Sequence, residues 1–118
     1  MGDMGDALAL TFVMAWEAQT GGEKATPAQF KGTAAGFRKM LLRNAYYQSM
    51  SQTEKQTYIE GQLLNASDPV RLLREAKRTG DAGTLQKARD GGRRATATWL
   101  QAGQTHFVAN PNGFTGVK

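Results

Sequence analysis

ALALTFVMAW, residues 7–16, is the stretch that decides the fold class. It is the longest strongly apolar run in the chain, and only Thr11 interrupts it. Read as part of a helix over about residues 6–19, it places Met4, Leu8, Phe12, Ala15 and Trp16 on one face. Leu10, Val13 and Met14 fall outside that stripe. A helix that is apolar on most sides is normally central to its bundle. The run is too short for a membrane span, which needs about twenty residues. No positive charge precedes it, so it reads as a poor signal peptide. Met1-Gly2-Asp3 is compatible with an expression scar on a processed chain. Asp3 or Asp6 is expected to cap the free N–H groups at the helix start. Thr20-Gly21-Gly22 is expected to end it, because glycine accepts the left-handed conformation that follows helix ends.

Moving outward, the next helix has the clearest start. Thr26-Pro27-Ala28-Gln29 joins a capping box to a proline at the first helical position. The spacing predicts a helix over about 27–46, with Phe30, Ala34, Phe37, Leu41 and Ala45 facing the core. Gly32 and Gly36 each weaken it by about 1 kcal/mol relative to alanine. Their spacing of four reads as close approach of a neighbouring helix rather than as a ligand site. Ser51-Gln52-Thr53-Glu54 is a second capping box and opens a helix over about 52–66. Tyr58, Ile59, Leu63 and Ala66 are its expected core residues. Asn65 to Asp68 then reads as a break, and Asp68-Pro69 as a capped restart over 69–79. Pro69, Leu72, Leu73 and Ala76 form the apolar side of that segment.

Thr79-Gly80-Asp81 reads as a turn, with Asp81 capping a last helix over about 82–102. The stripe Leu85, Ala88, Gly92, Ala95 and Trp99 keeps its phase through Gly91-Gly92, which predicts one long helix with a weak middle. Gly103 is the expected stop. In the tail, 103–118, Thr105 to Ala109 reads as extended and Asn110-Pro111-Asn112-Gly113 as a turn. Phe114 is expected to fold back onto the bundle. A lone hairpin is marginal in water, so only packing orders such a tail. The expected architecture is a single all-α domain, residues 1–118. It is a compact bundle of four to five helices joined by short loops, with an irregular C-terminal tail.

Composition agrees with a globular chain. Apolar residues make up 40% and charged residues 21% of the 118, and there is no cysteine. Disulfides and thiolate chemistry are therefore excluded. The net charge of +5 is uneven. Residues 1–70 carry a net of −1 and residues 71–118 a net of +6, which directs the partner question to the later helices. The basic residues there are Arg71, Arg74, Lys77, Arg78, Lys87, Arg89, Arg93 and Arg94. Arginine-rich faces bind phosphates through fixed donor forks. The ordinary reading of such a run is a solvated face. No stacking aromatics are interleaved with it, and no nucleic-acid motif appears.

Few residues carry the pattern of a reaction. His106 is the single histidine and has no Ser or Thr partner with an orienting acid at suitable spacing. It reads as a surface or partly packed residue. One histidine without cysteine does not make a zinc site, and no acidic loop suits calcium. Neither phosphate-loop glycine pattern is present, so no cofactor and no metal is expected. Tyr46 and Tyr47, between two helices, are candidate interface residues, as are His106 and Phe114.

The order of these features resembles a family of uncharacterised proteobacterial helical domains, many encoded with secretion signals. The resemblance lies in Trp16-Glu17-Ala18, Gly21-Gly22 and Thr26-Pro27-Ala28-Gln29. It continues through Met50-Ser51-Gln52-Thr53-Glu54-Lys55-Gln56 and Asn112-Gly113-Phe114. It implies periplasmic placement or secretion and brings no catalytic residue. The leading expectation is a non-enzymatic protein-binding module, accessory or immunity-type. A nucleic-acid or polyanion binder using the basic helices is the first alternative. A small toxin or hydrolase is the second.

Overall fold

A computed structural model describes residues 4–118. The expected Asp3 cap lies outside the described residues. The first helix, α1, spans Met4–Gln19 and is buried on several sides, through Leu8, Ala9, Phe12, Val13, Ala15 and Ala18. It touches three other helices, as its all-round apolar surface requires. Buried Thr11 is satisfied within the helix, since its hydroxyl donates to the Leu8 carbonyl at 2.8 Å. Asp6, in the first turn, forms an ion pair with Arg38. Gly21 and Gly22 follow the helix with positive φ.

The second helix, α2, spans Pro27–Arg43. Its capping box is formed: Gln29 N–H donates to Thr26 Oγ1 at 3.0 Å, and Thr26 N–H donates to Gln29 Oε1 at 2.8 Å. Ala34, Phe37 and Leu41 face the core. The helix does not continue to residue 46. Asn44 adopts an extended backbone, and its side chain accepts from the Tyr47 N–H to cap a one-turn helix, α3, Ala45–Gln48. Asparagine competes with helical hydrogen bonding in this way, and the local bond wins here. Ala45 is consequently exposed rather than in the core.

The fourth helix, α4, runs unbroken over Gln52–Thr79. The expected break at 65–68 is absent, and Pro69 lies inside the helix. Asp68 is not a cap but stands 3.8 Å from Arg71. Burial overrides the local signal, because Ala66, Pro69, Leu73 and Ala76 keep one phase across the proline. Leu63 departs from its expected core position and is 41% exposed. Gly80 ends α4 with φ 74°.

The fifth helix, α5, spans Ala82–Ala97, with Asp81 accepting from the Thr84 N–H at its start. It passes through Gly91-Gly92 without a break but ends five residues before the expected 102. Beyond the end, the Trp99 ring meets Phe37 edge-on at 4.8 Å. At Gly92, α5 lies close against the backbone of α1. A Cβ there would run into the Ala15 carbonyl oxygen and lie 2.5 Å from the Gln19 nitrogen.

The tail is an ordered antiparallel hairpin. Strand β1, His106–Asn110, pairs with β2, Gly113–Val117, across the two-residue turn Pro111-Asn112. Opposite Ala109 stands Phe114, and opposite Phe107 stands Gly116. This register puts Phe107 and Phe114 on one face, since Phe107 and Ala109 are two apart. Both rings meet Phe12, at 4.9 and 5.1 Å. Gly32 seats the turn, because a Cβ there would overlap the Asn112 carbonyl. The close approach expected at this glycine is therefore made by the hairpin, not by a helix. The bundle is all-α apart from this two-stranded sheet.

Candidate functional site

Helices α4 and α5 fold back on each other around Gly80-Asp81. Asp81 accepts from both the backbone N–H and the hydroxyl of Thr84, and the hydroxyl bond is the larger cause of its lowered pKa. Further along, the Pro69 ring sits against α5 where Gly91 has no side chain, with Pro69 Cγ 2.9 Å from the position of an added Cβ. Beside this contact a cleft of about 710 Å³ lies between α4 and α5. Pro69 and Gly91 lie at its base, and Leu64 and Leu72 line it from α4. Lys87 and Arg94 line it from α5. Leu64 is 69% exposed. Arg94 reaches back over Gly91, with one guanidinium nitrogen 3.8 Å from the same Cβ position. Asp68 is the single acidic residue of the lining.

The eight basic residues do not share one surface. Arg78 is paired with Glu75, which lowers the Glu75 pKa and raises that of the guanidinium. Arg71 stands 3.8 Å from Asp68. Arg89 turns the other way and donates from Nε to the Gln19 carbonyl at 3.2 Å, capping the C-terminal end of α1. Lys77 points to the same end, beside Gly22. Lys87 and Arg94 share the cleft. Arg74 and Arg93 are exposed. Among the described residues, Lys87 and Arg94 form no ion pair.

The remaining candidates separate in the same manner. Tyr47 is 8% exposed and packs in the core, under the Lys55 ammonium at 4.9 Å from the ring centre. Tyr46 is 73% exposed. Phe114 is half-buried against Phe12 and Trp16. His106 is exposed on β1, with Nδ1 2.9 Å from Thr105 Oγ1. Among the described residues, no group of three or more His, Asp or Glu side chains is placed to hold a metal ion. No described helix is long and apolar enough to cross a membrane.

The sequence reading missed Leu64. The signal was present: Leu64 lies off the Ala66, Pro69, Leu73 and Ala76 stripe once that stripe is carried through the proline. Comparison with protein-family models, curated proteins and solved structures finds no match to this chain.

Proposed function

We propose that the protein is a non-enzymatic protein-binding module, accessory or immunity-type, whose partner docks in the α4–α5 cleft. The observation that carries this reading is the composition of the cleft. An exposed leucine, Leu64, stands beside Pro69 and Leu72, and two cations that form no close ion pair among the described residues, Lys87 and Arg94, face them. An exposed apolar anchor beside charged side chains is the usual make-up of a small interface, with a central anchor and a polar rim. The partner segment is expected to bring an apolar residue and carboxylates. Placement in the bacterial envelope or outside the cell belongs to this reading and is what the family resemblance implies. Nucleic acid fits less well. A phosphate backbone is tracked by a continuous basic surface, whereas Arg71 and Arg78 stand beside carboxylates and Arg89 caps α1.

The test is affinity capture from an envelope fraction of the native host with wild type, Leu64→Asp and the double variant Lys87→Glu/Arg94→Glu. A partner held by wild type and lost from both variants supports the reading. Identical recovery with Leu64→Asp overturns it. A mobility shift with duplex DNA at low salt that is abolished by Lys87→Glu/Arg94→Glu would favour the polyanion alternative instead.

A further inference from the structure

Gly36 is unexplained by packing. It lies in the exposed middle of α2, and nothing stands within 4 Å of where its Cβ would be. Glycine at such a position costs about 1 kcal/mol relative to alanine. Gly32, one turn earlier, offsets that cost by seating the hairpin turn, but Gly36 has no such contact. What the missing side chain leaves is open space along the helix.

That space is a groove with two unlike ends. Toward the hairpin it is a pocket of about 400 Å³, walled by Phe37, Met40, Trp99, Phe107 and Phe114. Toward the end of α2 it opens into a depression of about 710 Å³ bounded by Lys39, Arg43 and Asn44. Gly36, Met40 and Gln101 line both, so the two adjoin at Gly36. No acidic residue lines either part. Lys39 and Arg43 form no ion pair among the described residues. Aromatic walls with a few polar groups, at a volume of about 300–1,000 Å³, are the features of a small-molecule site. Met40 is 36% exposed and adds a side chain that adapts to what it covers.

We propose that this groove binds a small amphipathic carboxylate. Its apolar body lies against Trp99 and Phe107, and its carboxylate meets Lys39 and Arg43, where the guanidinium fork suits it. Gly36 keeps the passage between the two ends open. The site lies on α2, the hairpin and the segment around Trp99 and Gln101, and it shares no lining residue with the α4–α5 cleft.

Calorimetric titration of the full chain with decanoate and with 3-phenylpropionate, using decanol as the uncharged control, tests this. At least one carboxylate binds wild type below about 1 mM. Gly36→Leu weakens that binding at least tenfold while the melting temperature stays or rises, so blockage is separated from unfolding. The double variant Lys39→Glu/Arg43→Glu weakens the carboxylate at least tenfold and leaves decanol unchanged. Three results overturn the proposal. They are no binding of either carboxylate, equal binding by Gly36→Leu, and equal affinity for decanoate and decanol.

Discussion

The side-chain amide of Gln29 donates a 2.9 Å hydrogen bond to the main-chain carbonyl of Asn110, 81 positions away. The same side chain accepts the Thr26 N–H through Oε1. One residue thus starts α2 and holds the C-terminal hairpin against it.

Gln29→Glu separates these two roles. Glutamate still accepts the Thr26 N–H and favours the helix start, but it has no donor for Asn110 and brings a negative charge to a carbonyl. A loss of about 1–2 kcal/mol is expected. Hydrogen exchange should show faster amides in 106–117 with those of α2 unchanged. Equal acceleration in both elements would show that the hairpin is not held separately.

Gly36 and Gly92 should respond to alanine with opposite signs. Gly36→Ala meets open space, so helix propensity alone acts and stability rises by about 0.5–1 kcal/mol. Gly92→Ala places a methyl group on the α1 backbone at Ala15 and Gln19, neither of which is a flexible side-chain end. A loss of about 2–3 kcal/mol is expected, because overpacking forces the helices apart. Urea midpoints of the two variants decide this.

The two adjacent tyrosines should differ as sharply. Tyr47→Ala removes a buried core ring and is expected to cost about 3 kcal/mol or more. Tyr46→Ala alters an exposed side chain and should stay within about 0.5 kcal/mol of wild type. Similar melting temperatures for the two variants would place Tyr47 outside the core.

Acid should weaken the protein through two helix caps and one ion pair of α4. Glu54 is held below its ordinary pKa by the Ser51 backbone N–H, Glu75 by Arg78, and Asp81 by the Thr84 hydroxyl and N–H. A carboxylate whose folded pKa is depressed adds stability above its unfolded value, near 4. That stability is lost as pH falls through the lower folded value. The melting temperature should therefore be flat from about pH 7 to 5 and fall below about pH 4. In Asp81→Asn the fall should be shallower, and a curve parallel to wild type would remove Asp81 from the account.

What the sequence determined by itself was local. The capping boxes at Thr26 and Ser51, the caps at Asn44 and Asp81, and the glycine stops at Gly21 and Gly80 act within a few residues. The capping boxes, the Asp81 cap and the Gly21 stop could be read directly; so could the central place of α1, because a helix apolar on most sides packs against several neighbours, although its Leu10 is left 49% exposed. The tertiary structure decided wherever a local signal met a distant contact. Asp68-Pro69 has the form of a helix start, yet Pro69 sits mid-helix because its ring is buried against Gly91. Trp99 keeps the phase of α5, yet the helix ends before it and its ring packs on Phe37. Gly32 and Gly36 look alike in sequence, and only the fold sets a hairpin turn against one and open space beside the other. The cleft followed the same rule. Its cations were legible as a basic run, but which two share a surface depended on how α4 and α5 rotate about the Pro69–Gly91 contact. Caps and periodicity are short-range. Which side chains meet across the bundle is set by packing the whole chain, and no window of sequence contains it.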